Sequence, residues 1–109
     1  MDLIGKFESG EFGTVSVLFG KYPYSGEPQV LLELSGGEAL ARLSVDLTDQ
    51  GYVVSVVAER PGCFFAKTYS ENREIAAEAL ASGLFMDTGR RVKLRFVDVP
   101  IWAIRKMEE

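Results

Sequence analysis

Gln29-Val30-Leu31-Leu32-Glu33-Leu34-Ser35-Gly36-Gly37-Glu38-Ala39-Leu40-Ala41-Arg42-Leu43-Ser44-Val45-Asp46-Leu47 is the stretch that decides the fold class. Two β-rich runs flank a Gly-Gly pair. That pair suits a two-residue hairpin loop, because both central positions of a type I′ turn need a positive φ. Pairing Ser35 with Glu38 sets Leu34 opposite Ala39, Leu32 opposite Ala41 and Val30 opposite Leu43. These six apolar residues share one face. Glu33, Arg42, Ser44 and Asp46 take the other, which is the pattern of a half-buried antiparallel sheet.

Working outward, Phe12 to Phe19 reads as a strand with Val15, Val17 and Phe19 on one side and Thr14 and Ser16 on the other. As an exposed edge, that strand could support a homodimer. Residues 21–28 form a loop punctuated by Pro23, Gly26 and Pro28. Beyond the hairpin, Thr48-Asp49-Gln50-Gly51 is a turn. Tyr52 to Val57 is a β-branched strand, apolar on both faces. Arg60-Pro61-Gly62 breaks the chain, and Cys63 to Lys67 is a short strand or extended segment.

Glu71 to Ser82 carries the helical pattern. Ser70 is the expected N-cap, and Gly83 stands where a left-handed C-cap belongs. Ile75, Ala76, Ala79 and Leu80 make its apolar face. Met86-Asp87-Thr88-Gly89 is expected to turn the chain into a last strand, Val92 to Val99, with Val92, Leu94 and Phe96 inward and Lys93 and Arg95 outward. Pro100 to Ile104 is expected as an extended or single-turn tail. The sum is one α+β domain over residues 1–109: a mainly antiparallel sheet of about five to six strands with one helix, about 71–82, packed on it.

Composition narrows the chemistry. The 109 residues include no histidine and one cysteine, and carry a net charge of −4. Missing histidine removes the commonest general acid–base group and metal ligand. Cys63, followed by Phe64 and Phe65, reads as a small buried hydrophobe with no base to activate it. The glycines fall in turns and form no phosphate-binding loop. Carboxylates such as Asp46, Asp49 and Asp87 fall in turns, not in a converging pair. We therefore expect no catalytic residues, no metal, no cofactor and no enzyme. No apolar run approaches the roughly 20 residues of a membrane span, and the start lacks the features of a signal peptide, so a cytoplasmic location off the membrane is expected.

Charge is uneven. Residues 1–89 hold 13 acids and 6 bases (−7), and residues 90–109 hold 6 bases and 3 acids (+3). Glu71, Glu74 and Glu78 fall at i, i+3 and i+7 and form an acidic helical stripe, which could steer a basic protein partner. Tyr22 and Tyr24 are aromatic anchors for the same role, and Trp102 is either an anchor or core. Arg90, Arg91, Lys93 and Arg95 offer the alternative, a phosphate-binding strand for nucleic acid.

Three stretches carry a resemblance. They are Ala41-Arg42-Leu43-Ser44-Val45-Asp46-Leu47, Phe65-Ala66-Lys67-Thr68-Tyr69-Ser70-Glu71-Asn72, and Gly83-Leu84-Phe85 followed by Asp87-Thr88-Gly89. Together they resemble a family of small uncharacterised domains carried on bacterial plasmids, conjugative elements and phages. The resemblance implies mobile-element biology: stoichiometric binding of a host protein complex, with anti-CRISPR proteins acting on a CRISPR effector as the leading example. It attaches no catalytic residue, and it leaves monomer and homodimer both open.

Overall fold

The computed structural model describes residues 1–51 and 61–105; the expected strand Tyr52 to Val57 lies outside them. Seven strands among the described residues form two antiparallel sheets with one helix, so the α+β class holds. The first sheet runs β1-β2-β3-β4, made of β1 (Asp2–Ser9), β2 (Gly13–Lys21), β3 (Pro28–Leu34) and β4 (Ala39–Arg42). The second runs β5-β7-β6, made of β5 (Cys63–Phe65), β6 (Phe85–Lys93) and β7 (Asp98–Ile104).

The hairpin register holds away from the turn, where Leu32 faces Ala41 and Leu31 faces Arg42. Near the turn it slips by one residue, and Ala39 faces Glu33 in place of Leu34. The loop is therefore not the expected two-residue type I′ turn. Leu34 exchanges hydrogen bonds with Gly37 and Glu38, and only Gly37 of the glycine pair has a positive φ, 88°. Three residues close the hairpin, and the extra one is absorbed as a bulge at Leu40. Ser44 is also misassigned to the outer face. It is buried, because the Val30 amide and the Tyr22 hydroxyl both bond its Oγ.

β2 is not an edge. It pairs with β1 on one side and β3 on the other, which excludes strand addition there. The missed strand β1 gave little sequence signal because only Phe7 and Ser9 of its eight residues are buried.

Toward the C-terminal end, residues 86–89 do not turn the chain. β6 continues through them, bulged between Asp87 and Arg91, where Gly89 has φ 84°. The reversal comes later, where the Leu94 amide bonds the Val97 carbonyl, so the expected strand 92–99 is split between β6 and β7. Phe96, expected inward, sits on this tip and is 88% exposed. The expected tail Pro100–Ile104 is part of β7, the central strand of its sheet. That placement accounts for its unbroken burial.

The helix begins with a 3₁₀ turn, Ser70–Asn72, and continues as α1, Arg73–Ala81. Ser70 does not cap it. The residue lies inside the first turn with φ 56°, and no side chain caps the α-helix. Gly83 does adopt the left-handed C-terminal conformation, φ 86°. Ile75, Ala76 and Ala79 bury against a core shared by Val15, Val17, Val30, Leu32, Phe64 and Trp102. The far face of β5 and β7 packs a second cluster of Leu47, Cys63, Phe65, Val99, Ile101 and Ala103. The two sheets are stitched by a bridge between Ser44 and Ala66.

Candidate functional site

The end of β4, the segment before the helix and the first helical turn converge on Asn72. Its buried amide donates to the Arg42 carbonyl at 2.7 Å and to the Lys67 carbonyl at 3.0 Å. This clamp fixes two clefts that meet at Ser70 and Glu71.

The first cleft, about 440 Å³, has Phe12, Leu40, Ala41 and Ile75 as apolar lining and Glu11, Glu71 and Glu74 as its acids, with Arg73 among them. The second, about 560 Å³, is lined by Tyr22, Arg42, Ser44, Asp46, Lys67 and Tyr69. There the Arg42 guanidinium lies 5.9 Å from the Tyr22 ring centre, and the Lys67 ammonium 5.9 Å from that of Tyr69. Such cation–ring contacts hold long side chains beside an aromatic face. The Tyr22 hydroxyl and Ser44 Oγ lie 3.0 Å apart, and burial pushes the Tyr22 phenol above its ordinary pKa. Burial works against the charged form of Asp46, but hydrogen bonds from Ser25 and Thr48 outweigh it and keep the carboxyl low.

The three glutamates of the expected acidic stripe have different surroundings. Glu71 pairs with Lys67 at 2.8 Å, and that hydrogen bond lowers its pKa. Glu74 is exposed on the first cleft. Glu78 is committed elsewhere. It accepts from Ser9 Oγ and from the Gly10 amide, each at 2.7 Å, so it closes the β1–β2 turn. These bonds, the Gly10 amide first, hold its carboxyl below the usual range.

Tyr22 joins Glu71 at the second cleft, whereas Tyr24 is fully exposed on its loop. Trp102 is core and not an interface anchor, packed in an aromatic cluster with Phe64 and Phe85. Glu11, Phe12, Arg42, Lys67 and Tyr69 join the site although sequence reading did not select them. They come from separate strands and loops, and only their tertiary convergence marks them.

The basic residues lie on β6 and its tip. Arg91 makes a bidentate pair with Asp87 at 2.8 and 2.9 Å, which lowers the Asp87 pKa and raises that of Arg91. Lys93 sits opposite Asp98, Arg95 lies 5.4 Å from the Phe96 ring, and Arg90 is exposed. Asp87 and Asp98 thus offset much of this strand's positive charge.

Among the described residues no group of three or more histidine, cysteine, aspartate or glutamate side chains is placed to hold a metal ion. No described helix is long and apolar enough to cross a membrane. No protein-family model, curated protein or solved structure matches the chain.

Proposed function

We propose that the chain is a non-catalytic binding protein whose face around Ser70 and Glu71 covers a basic surface of a larger protein complex. The observation that carries this reading is the first cleft: an apolar lining of Phe12, Leu40 and Ile75 with three acids, Glu11, Glu71 and Glu74, against one lining base, Arg73. Apolar area that excludes water, ringed by charge that steers approach, is the build of a protein interface. Tyr22 and Arg42 on the adjoining cleft extend it with aromatic and guanidinium surface, the side chains that most often carry binding energy. Taken with the mobile-element resemblance, the target class is a bacterial defence complex of the CRISPR effector type, occluded stoichiometrically in the cytoplasm.

The test is inhibition of target cleavage by purified effector complexes as a function of molar ratio. Inhibition should saturate near equimolar protein. The Glu71→Lys/Glu74→Lys double variant should lose about tenfold or more in association rate, with a weaker salt dependence, while keeping its circular dichroism spectrum. Wild-type inhibition by that variant would remove this face from the interface. Failure of the chain to bind any effector would remove the target class.

A second reading has its own observation. The β6–β7 tip presents Phe96 beside Arg95, with Lys93 and Arg91 along the ribbon, an arrangement open to nucleic acid. Binding through phosphates must weaken steeply with salt, so a mobility-shift titration between low and moderate salt separates the two readings.

A further inference from the structure

Among the described residues, the first sheet buries one face against the helix and core, and its other face is the outer one. On that outer face the register aligns Leu3, Leu18 and Leu31 in a row across β1, β2 and β3, with the exposed Arg42 of β4 at its end. Leu3 is 56% exposed and Leu18 and Leu31 half-buried. Met1, 58% exposed, extends the row, its side chain lying over Gly20, where a Cβ would come within 2.9 Å of the methionine methyl. An apolar stripe across the outer face of a sheet is unusual for a surface that meets only water.

The neighbouring row identifies what would cover it. Lys6, Ser16 and Glu33 lie side by side on the same three strands, with Lys6 on β1 and Glu33 on β3. Two strand spacings, roughly 10 Å, separate their backbones, and the pleat points both side chains out of the sheet and not at each other. Among the described residues neither Lys6 nor Glu33 has an ion-pair partner.

We propose that this face docks on a second copy of itself. A two-fold axis running along β2, between the facing sheets, exchanges the β1 and β3 sides and leaves β2 on itself. Leu18 then meets Leu18 of the other copy, Leu3 meets Leu31, and Lys6 meets Glu33 twice over. The same patch supplies both halves of the contact, as an isologous interface requires. Facing sheets about 10 Å apart leave room for leucines to interdigitate and for Lys6 and Glu33 to reach one another. Three leucines and one charge pair per copy make a contact of the weak, transient kind, so the dimer is concentration-dependent. Glu74 lies on the helix, across the sheet from this face, so pairing leaves the acidic cleft open.

Sedimentation equilibrium over a wide concentration range tests it, with circular dichroism confirming that each surface variant is folded. The wild-type chain should pass from monomer to dimer. Leu18→Lys sets two ammonium groups against each other and should weaken dimerisation by about tenfold or more. Lys6→Glu should weaken it as well, and adding Glu33→Lys should restore it, because the exchanged charges again face opposite signs. A chain that stays monomeric throughout overturns the proposal. So does a dimer indifferent to both Leu18→Lys and Lys6→Glu, or a charge-exchanged double variant no stronger than Lys6→Glu alone.

Discussion

The Asn72 amide nitrogen lies 2.7 Å from the carbonyl oxygen of Arg42, thirty residues earlier in the chain. The same nitrogen reaches the Lys67 carbonyl at 3.0 Å, so one buried side chain ties a strand end, an extended segment and a helix start together. Both clefts of the candidate site border this junction. Its integrity therefore matters to function as well as to stability.

Asn72→Ala leaves two carbonyls without their donor at a site only 1% exposed, and should destabilise the chain by about 3 kcal/mol. Asn72→Asp should cost more, since a carboxylate cannot donate and repels both carbonyls. Urea denaturation measures both. An alanine variant as stable as wild type would show that the clamp contributes nothing.

Glu78 supplies a pH-dependent bond. Its carboxyl is held below the ordinary range by the Gly10 amide and the Ser9 hydroxyl. A depressed carboxylate stabilises the fold above its unfolded pKa of about 4.3, and that contribution disappears as pH falls through the folded value. Glu78→Gln should therefore lower Tm most near neutral pH. The gap from wild type should close below about pH 4. A gap independent of pH would mean the carboxylate charge is irrelevant to the β1–β2 turn.

The hairpin loop distinguishes its two glycines. Gly37 has φ 88°, whereas Gly36 is not in the positive region and has open space around it. Gly37→Ala should cost about 1 kcal/mol and Gly36→Ala close to nothing. A two-residue type I′ turn would penalise both equally, so thermal melts of the two variants decide the loop geometry.

Cys63 is 1% exposed. Its thiol should react with a disulfide reagent only through unfolding, with a labelling rate that climbs with urea and saturates in the unfolded chain. Rapid labelling in native buffer would place the thiol at the surface.

Much of the fold was legible in local pattern. The alternation from Val30 to Leu43 predicts the central register, and Ile75, Ala76 and Ala79 at helical spacing predict the buried helix face. The errors fell where local pattern is ambiguous. A continuous run such as Ile101-Trp102-Ala103-Ile104 has no periodicity, because β7 is covered on both faces. Phe96 reads as inward by alternation and is not, because the hairpin reverses at that residue. Of the site residues, Glu71, Glu74 and Tyr22 were readable as exposed polar or aromatic groups. Glu78 was not separable from them, since its partners Ser9 and Gly10 lie almost seventy residues away.

The sequence by itself determined the antiparallel hairpin, the single helix and the lack of histidine chemistry, because each follows from side-chain period or composition within a short window. Tertiary structure alone decided which glutamates remain free, that β2 is interior, and that Lys6 and Glu33 share a row with an apolar stripe beside it. Those facts depend on which distant segments lie side by side. That is a matter of strand order, which no local pattern encodes.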